Sequence, residues 1–112
     1  MKYFVNGEER KKTGSTCFIE FQRGTYDGTV WSIDAVYIAE EIFYTLKLRK
    51  LFSHTLPFFD YYGITQVHRS SFEKTLSEAR LFSKETDECI RELDDWLKSD
   101  STGYGVFTII GM

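Results

Sequence analysis

The segment YGVFTII at residues 104–110 decides the predicted fold, because it places a strand after a long helical region. β-Branched and aromatic residues dominate it, as they do in strands generally. A strand left by itself would expose an unpaired edge, so we expect this one to insert into a sheet built from N-terminal strands. The segment therefore indicates strands on both sides of the helices.

Three short strands are predicted before the first helix. KYFV at residues 2–5 begins a strand, and Asn6-Gly7 is a turn signal. TCFIEFQ at residues 16–22 alternates apolar and polar side chains, as a half-buried strand does. RGTYDG is predicted to be a hairpin loop, and residues 29–31 form the returning strand.

Three helices are predicted between those strands and the last one. The first begins at Ser32 or Asp34 and runs to Phe52 on a broad apolar face. The second begins with a capping box at residues 70–73, and the third is capped by Thr86. The order β-β-β-α-α-α-β predicts an α+β fold, with a small, mostly antiparallel sheet and three helices packed over one face.

The bulk composition is that of one globular domain over residues 1–112. Hydrophobic residues make up 42% of the chain and aromatic residues 17%, which is enough for one core, and there is a single proline. No apolar run approaches the roughly 20 residues of a membrane span or the roughly 7–15 of a signal peptide. We therefore expect a cytoplasmic protein that does not enter a membrane.

Cysteine and histidine positions argue against a metal or cofactor site. Cys17 lies in a strand-like run and Cys89 on a predicted helix, and neither pairs with His54 or His68 at a ligand-like spacing. We expect two buried free thiols, no bound metal and no cofactor.

Acidic residues are concentrated in one predicted helix. The net charge is −3, but residues 85–100 hold seven acidic and two basic residues, a local charge of −5. These acidic residues either form an ordinary solvated surface or make an anionic patch that attracts a basic partner. The carboxylates of interest are Asp87, Glu88, Glu92, Asp94 and Asp95.

The break between the first two helices is unusually aromatic. TLPFFDYYGI spans residues 55–64, and Pro57 and Gly63 bracket it as turn residues. We expect at least one phenylalanine to fill the core. Tyr61 and Tyr62, beside Asp60, have the composition of a protein-binding hot spot, and the alternative is that all four rings simply pack. A membrane wedge would bring Lys or Arg in place of Asp60.

Two segments resemble the aromatic motifs of an RNA-recognition motif, namely residues 103–107, GYGVF, and residues 3–7, YFVNG. Thr102 replaces the expected basic residue, Ile109 replaces the closing aromatic residue, and the order of elements differs from that family. We therefore expect core aromatics in two neighbouring strands and no nucleic-acid binding.

The remaining chemical candidates are His54, Asp60 and His68, which flank the aromatic break and would suit a small hydrolase or nuclease. No nucleophile elbow, phosphate-binding loop or H-E-x-x-H motif accompanies them. Cys17 lies mid-strand among apolar neighbours, which favours an inert thiol. We therefore expect no enzymatic activity.

Size, element order, the segment DYYG and the acidic segment ETDECIRELDDW together resemble the small bacterial immunity proteins of contact-dependent inhibition systems. The resemblance implies a protein that covers the active site of a cognate toxin, often a basic nuclease. From their composition and placement, and not from the resemblance, we expect Tyr61, Tyr62, Asp94 and Asp95 to be the anchors. The surrounding field comes from Asp60, Asp87, Glu88 and Glu92. The alternatives are a hydrolase or nuclease using His54 and His68, or an assembly or adaptor subunit, and the oligomeric state stays open.

Overall fold

The computed structural model describes residues 1–100 and 104–112. It is an α+β fold with a five-stranded sheet in which all neighbouring strands are antiparallel, in the order β1-β3-β2-β5-β4. The strands are β1 Val5–Asn6, β2 Phe18–Arg23, β3 Val36–Ala39, β4 Ile64–His68 and β5 Val106–Ile110. The helices are α1 Gly7–Thr13, α2 Glu40–Thr45, α3 Leu48–Thr55, α4 Arg69–Glu78 and α5 Lys84–Lys98, with a short 3-10 helix at Ala79–Leu81.

The last strand lies inside the sheet, as predicted. β5 pairs with β2 on one side and with β4 on the other, so that Ile109 lies opposite Phe21 and Phe107 lies opposite Val67. Both β5 side chains are fully buried. The middle of β5, at residues 107–109, is buried on both faces of the sheet, which explains its run of β-branched and aromatic residues.

The hydrophobic core lies between one face of the sheet and helices α3, α4 and α5. Ile19 of β2 and Ile38 of β3 meet Phe52 of α3, Phe72 of α4 and Leu93 of α5 in one buried cluster. The expectation of helices over one face holds for these elements. The described residues contain five α-helices, however, and not the three that were predicted.

The predicted long helix from residue 32 to Phe52 is wrong. Its first part is strand β3, and the remainder is divided into α2 and α3 at Lys47, whose φ of 58° lies in the left-handed region. Val36, Tyr37 and Ile38 are all buried, because the opposite sheet face is also covered here. A strand that is buried on both faces shows a continuous apolar run, which sequence periodicity cannot separate from a buried helix.

Helix α1 replaces the turn that was predicted at Asn6-Gly7. The Asn6 side chain accepts a hydrogen bond from the Glu9 backbone N–H at 2.8 Å, and the Glu9 carboxylate accepts one from the Asn6 N–H at 2.9 Å. This reciprocal capping box is a helix-start signal, and it is readable in the sequence as N-x-x-E. It outweighs the hairpin preference of Asn-Gly.

Two strand assignments also change. Residues 29–31 lie in a loop, and Trp31 has a φ of 57°, which is incompatible with a strand. The segment Ile64–His68, which was assigned to the aromatic break and the approach to the second helix, is the edge strand β4. Its Thr65 and Val67 are buried, while Ile64, Gln66 and His68 are exposed, which is an alternation of period two.

Both predicted helix caps are misplaced. Helix α4 begins at Arg69, and the Glu73 carboxylate accepts a hydrogen bond from Arg69 Nε at 2.9 Å, so the predicted capping box at residues 70–73 does not form. Helix α5 is capped by Ser83, whose hydroxyl oxygen accepts the Thr86 N–H at 3.0 Å. The Thr86 hydroxyl instead donates to the Leu46 carbonyl at 2.7 Å and ties α5 to the end of α2.

In the described part of the chain, no helix has the length and apolar character needed to cross a membrane.

Candidate functional site

The aromatic turn, residues 57–63, is a tightly hydrogen-bonded loop between α3 and β4. The Asp60 carboxylate accepts the Tyr62 N–H at 3.0 Å, and the Thr65 hydroxyl accepts the Asp60 N–H at 3.0 Å. The Gly63 N–H donates to the Asp60 carbonyl at 3.2 Å. A Cβ at Gly63 would lie 2.3 Å from the Asp60 carboxylate, so the close approach requires glycine. The turn therefore has one well-defined shape.

The four rings of the aromatic turn divide between core and surface. Phe59 packs inward, with its ring centroid 5.5 Å from that of Phe52 and 6.5 Å from that of Phe43, so the expected core plug is present. Phe58 is 50% exposed and Tyr62 is 70% exposed, while Tyr61 is half-buried. Only part of this turn is needed to complete the core.

Tyr61 is fixed from two sides. Its hydroxyl donates a hydrogen bond to the Glu40 carboxylate, and the Arg49 guanidinium lies 4.1 Å from its ring centroid. Burial, followed by the hydrogen bond and negative charge of Glu40, raises the pKa of Tyr61 to about 12, so the hydroxyl remains a donor at neutral pH. Tyr62 meets Tyr61 edge to face at 5.0 Å, and its ring lies 5.5 Å from the Arg49 guanidinium. The exposed Tyr62 ring thus lies against two fixed neighbours, Tyr61 and Arg49.

These side chains surround a cleft of about 650 Å³, called the tyrosine cleft below. It lies between the start of β2, helix α2 and the aromatic turn. Its main lining residues are Cys17, Phe18, Glu40, Glu41, Tyr44, Arg49, Tyr61 and Tyr62. Tyr44 is 79% exposed, and within the described residues neither Glu40 nor Glu41 forms an ion pair.

Asp94 does not lie on the solvent-facing side of the acidic helix, where it was predicted. It is buried, and its carboxylate binds Arg69 Nη1 at 2.5 Å, Lys98 Nζ at 2.9 Å and the Tyr104 hydroxyl at 3.0 Å. Burial by itself opposes ionisation, but the hydrogen bonds from Lys98, Arg69 and Tyr104 lower the pKa of Asp94 below its usual value. The residue holds α5 against the start of α4 and the approach to β5.

Glu92 and Glu88 hold the N-terminal segment. The Glu92 carboxylate accepts the backbone N–H groups of Lys2, Tyr3 and Phe4 at 2.6, 2.9 and 2.9 Å. The Glu88 carboxylate accepts the Tyr3 hydroxyl at 2.8 Å and contacts Lys2 Nζ at 3.4 Å. Hydrogen bonds from Tyr3 and Lys2 lower the pKa of Glu88. These acids satisfy donors that belong to the same chain.

The last two acids of the predicted patch behave differently. The Asp87 carboxylate pairs with Arg91 Nε at 3.1 Å, one turn along α5. Asp95 is exposed, and across residues 1–100 and 104–112 it has no hydrogen bond or ion pair. Of the five carboxylates singled out in the sequence, Asp95 is thus the one directed wholly toward solvent.

His54, Asp60 and His68 are not joined by any hydrogen bond in the described part of the chain. His54 Nε2 lies 3.1 Å from the Glu78 carboxylate, Asp60 binds its own turn, and His68 is exposed at the junction of β4 and α4. Among the described residues, no group of three His, Cys, Asp or Glu side chains is arranged to hold a metal ion.

The two cysteines are free thiols in different environments. Cys89 is buried, and burial raises the pKa of its thiol to about 12. Cys17 is exposed at the edge of the tyrosine cleft, so the expectation that it is buried is wrong. It precedes β2, whose buried part begins at Ile19.

The aromatic residues of the two segments that resemble an RNA-recognition motif pack in the core or against it. Phe4 and Phe107 are core residues, and the Tyr104 hydroxyl contacts Arg69 and Asp94. Strands β1 and β5 are separated by β3 and β2, so the expectation that these aromatics lie in neighbouring strands is wrong. Gly103 and Thr102 lie outside the described residues.

No protein-family model, curated protein or solved structure matches this chain. Function must therefore be inferred from the tyrosine cleft and its surroundings. Sequence reasoning singled out Tyr61 and Tyr62 but missed Tyr44, Arg49 and Glu40. These three were assigned to one continuous helix, and only the break at Lys47 turns α3 back so that Arg49 covers Tyr61.

Proposed function

We propose that this chain is a protein-binding module, and specifically an immunity protein that neutralises a cognate toxin by covering its active site. The observation that carries the proposal is the tyrosine cleft, where Tyr44 and Tyr62 are largely exposed beside a preorganised Tyr61–Arg49 pair. Tyrosine and arginine are enriched among the residues that dominate protein-binding energies.

The rigidity of the cleft favours tight binding. Ordering flexible side chains on association costs about 0.5–1.5 kcal/mol each. Here the Arg49 contact at 4.1 Å and the hydrogen bond to Glu40 already order Tyr61 in the free protein. A nanomolar Kd requires about −12 kcal/mol, and a few well-packed anchors can supply most of it.

The charge around the cleft suits a basic partner. Glu40 and Glu41 lie at the cleft without a cationic partner among the described residues, and Asp60 is exposed in the adjoining turn. Acidic groups in the path of a basic toxin raise the association rate more than they strengthen the final complex. Asp95 is exposed on α5, which does not line the cleft, and Asp94 and Glu92 bind groups of their own chain.

The test is to recover the tagged chain from its own host at moderate salt and to identify bound proteins by mass. We expect one basic protein in equal amount that is toxic when expressed alone and harmless when co-expressed. Tyr62→Ala weakens this protection in the proposed scheme, whereas Leu81→Ala, at a side chain that is 73% exposed in the 3-10 helix, preserves it. Recovery of no protein partner would contradict the proposal.

A further inference from the structure

The sheet face opposite helices α3, α4 and α5, called the outer face below, is only partly covered. Helix α1 and the loop at residues 24–35 cover the side that contains β1 and β3, where Tyr37 is fully buried. Toward β4, Ile64 is 45% exposed, and its neighbour Ile110 is half-buried. The outer face therefore carries an apolar strip that no element of the described chain covers.

A buried carboxylate fixes the loop beside this strip. Glu20 is 2% exposed, and its two oxygens accept the backbone N–H groups of Trp31 and Ser32 at 2.8 and 2.9 Å and the Gln22 side-chain amide at 2.7 Å. Gln22 also donates to the Thr29 carbonyl at 2.8 Å. Hydrogen bonds to an ionised acceptor are among the strongest in proteins, so the loop is held firmly to the sheet.

These bonds hold Trp31 in a strained conformation. Its φ of 57° is a genuine outlier for a bulky residue, and such strain persists only where the surroundings enforce it. The indole stacks on Tyr37 with a ring-centroid separation of 6.0 Å, and the Arg10 guanidinium lies 4.5 Å from it. Despite these contacts Trp31 is 42% exposed. The loop displays a fixed indole to solvent, with exposed Val30 and Ile33 on either side.

The Trp31 loop and the tyrosine cleft are parts of one surface. Phe18 lines the tyrosine cleft and also a smaller hollow of about 210 Å³ that is formed with Val30, Trp31 and Ile110. The segment after β5 joins the same region, because the Gly111 N–H donates to the Gly63 carbonyl at 2.8 Å. Phe18 thus connects the tyrosine cleft, which contains Tyr62, to the hollow that contains Trp31.

We propose that Trp31 is a second anchor of the interface and that the bound partner extends from the tyrosine cleft across the outer face to this loop. The inference rests on the proposed function, and it specifies which surface the partner must present to this chain. That surface offers an apolar pocket to the indole and Lys or Arg side chains to Glu40 and Glu41. Glu20 is a positioning residue, since it holds the loop through the backbone of Trp31 and Ser32 and through Gln22.

Charge complementarity selects a basic protein as the occupant. The carboxylates of Glu40 and Glu41 have no cationic partner within the described residues, and they line the tyrosine cleft, which shares Phe18 with the apolar hollow beside Trp31. Acids at the edge of an apolar strip oppose contact with an anionic lipid surface, which is attracted to Lys and Arg. A second copy of the chain would pair with itself across a two-fold axis, and the experiment below detects it by mass.

The first experiment uses the photo-crosslinking residue p-benzoylphenylalanine, placed singly at position 31, 62 or 81 of the full chain in its host. We expect positions 31 and 62 to crosslink to the same basic protein and position 81 to crosslink to none. A crosslink from position 62 without one from position 31 would overturn this inference and leave the proposed function standing. No crosslink from either position would overturn both, and a crosslinked homodimer would replace the basic protein with a second copy.

The second experiment measures Kd with the crosslinked protein after purification. Trp31→Ala is expected to weaken binding about 30-fold, as loss of an aromatic anchor typically does, and Leu81→Ala to leave Kd within two-fold. Glu20→Gln is expected to weaken binding several-fold and to speed amide exchange at Trp31 and Ser32, while the melting transition remains cooperative. An unchanged Kd for Trp31→Ala in a folded variant would overturn the inference.

Discussion

Helix α5 is rich in acidic side chains, which are usually exposed, and the aromatic turn is rich in aromatic side chains, which are usually buried. In each of the two regions some of these side chains do the reverse. The helix has the highest density of acidic residues, yet Asp94 is buried and Glu92 binds three backbone N–H groups. The turn has the highest density of aromatic residues, yet Phe58 and Tyr62 are half or more exposed. Hydrophobic residues left in a cluster at the surface are a better sign of binding than acids that already have partners.

The difference lies in what each group needs. On α5, the Asp94 carboxylate accepts hydrogen bonds from Arg69, and the Glu92 carboxylate accepts them from backbone N–H groups that precede β1. A tyrosine ring needs apolar cover, and around the aromatic turn the core is already completed by Phe59. Asp94 and Glu92 of the acidic helix therefore contribute to stability, and the exposed rings of the aromatic turn remain available to the partner that we propose.

The largest expected effect comes from Asp94→Ala. The substitution leaves the Arg69 guanidinium, whose side chain is 29% exposed and keeps its contact with Glu73, without its closest carboxylate, and loss of a hydrogen bond to a charged group destabilises a protein by about 1.5–3 kcal/mol. Urea unfolding followed by circular dichroism measures the change. Asp95→Ala, one residue along the same helix, is the control, with an expected change within about 0.5 kcal/mol. Equal effects at the two positions would contradict the separation between buried and exposed acids.

Tyr62→Ala should produce the reverse profile. Its ring is 70% exposed, so we expect a stability change within about 0.5 kcal/mol. Loss of a hot-spot residue should weaken partner binding by about 2 kcal/mol, roughly 30-fold in Kd. Isothermal titration calorimetry with the purified partner measures this loss. A large loss of stability with unchanged affinity would assign Tyr62 to the core and remove it from the interface.

Glu92→Ala tests whether a second acidic residue of helix α5 stabilises the fold. It removes the acceptor of the Lys2, Tyr3 and Phe4 N–H groups, of which the first is exposed and the other two are partly buried, so we expect a loss of about 1 kcal/mol. Hydrogen exchange should accelerate at these amides while exchange in β5 stays slow. Glu85→Ala, at an exposed position near the start of the same helix, provides the control. Exchange rates at residues 2–4 that match those of the control would show that Glu92 does not hold the segment.

The pH dependence of stability should show a smaller effect from the same network. The pKa of Asp94 is lowered in the folded protein, so its contribution to stability is complete above the unfolded value of about 3.9 and is lost as the pH falls through the folded value. Asp94→Asn should therefore flatten the fall in unfolding free energy below about pH 4. Unfolding curves at a series of acidic pH values, with Asp95→Asn alongside, test this slope. Identical slopes for Asp94→Asn and the unmodified protein would rule out the proposed contribution.

The elements that followed from sequence are those with strong local signals. The strand at residues 104–110, the strand at residues 16–22 and a helix with an apolar face in the acidic segment all appear close to their predicted positions. The largest failure, the helix predicted from residue 32 to Phe52, comes from burial on both sides of the sheet. Residues 36–39 look like part of a helix because Tyr37 is covered by Trp31 and Arg10, and nothing local to β3 announces that cover.

The sequence indicated an aromatic site at this turn, but it did not identify all of the residues that form the site. Tyr61 and Tyr62 stand out because a turn rarely carries so many rings. Tyr44 and Arg49 do not stand out, since they look like ordinary residues of an amphipathic helix. Their roles depend on the left-handed residue Lys47, which directs α3 across the aromatic turn.

By itself, the sequence determined the fold class, the return of the last strand to the sheet and the presence of an aromatic turn, because hydrophobic periodicity and turn residues act over a few positions. Only the tertiary structure decided which charges remain available. Asp94 and Glu92 find their partners 25 and about 90 residues away, and contacts at such separations leave no local pattern. Exposure, and with it the surface offered to a partner, is a property of the packed chain.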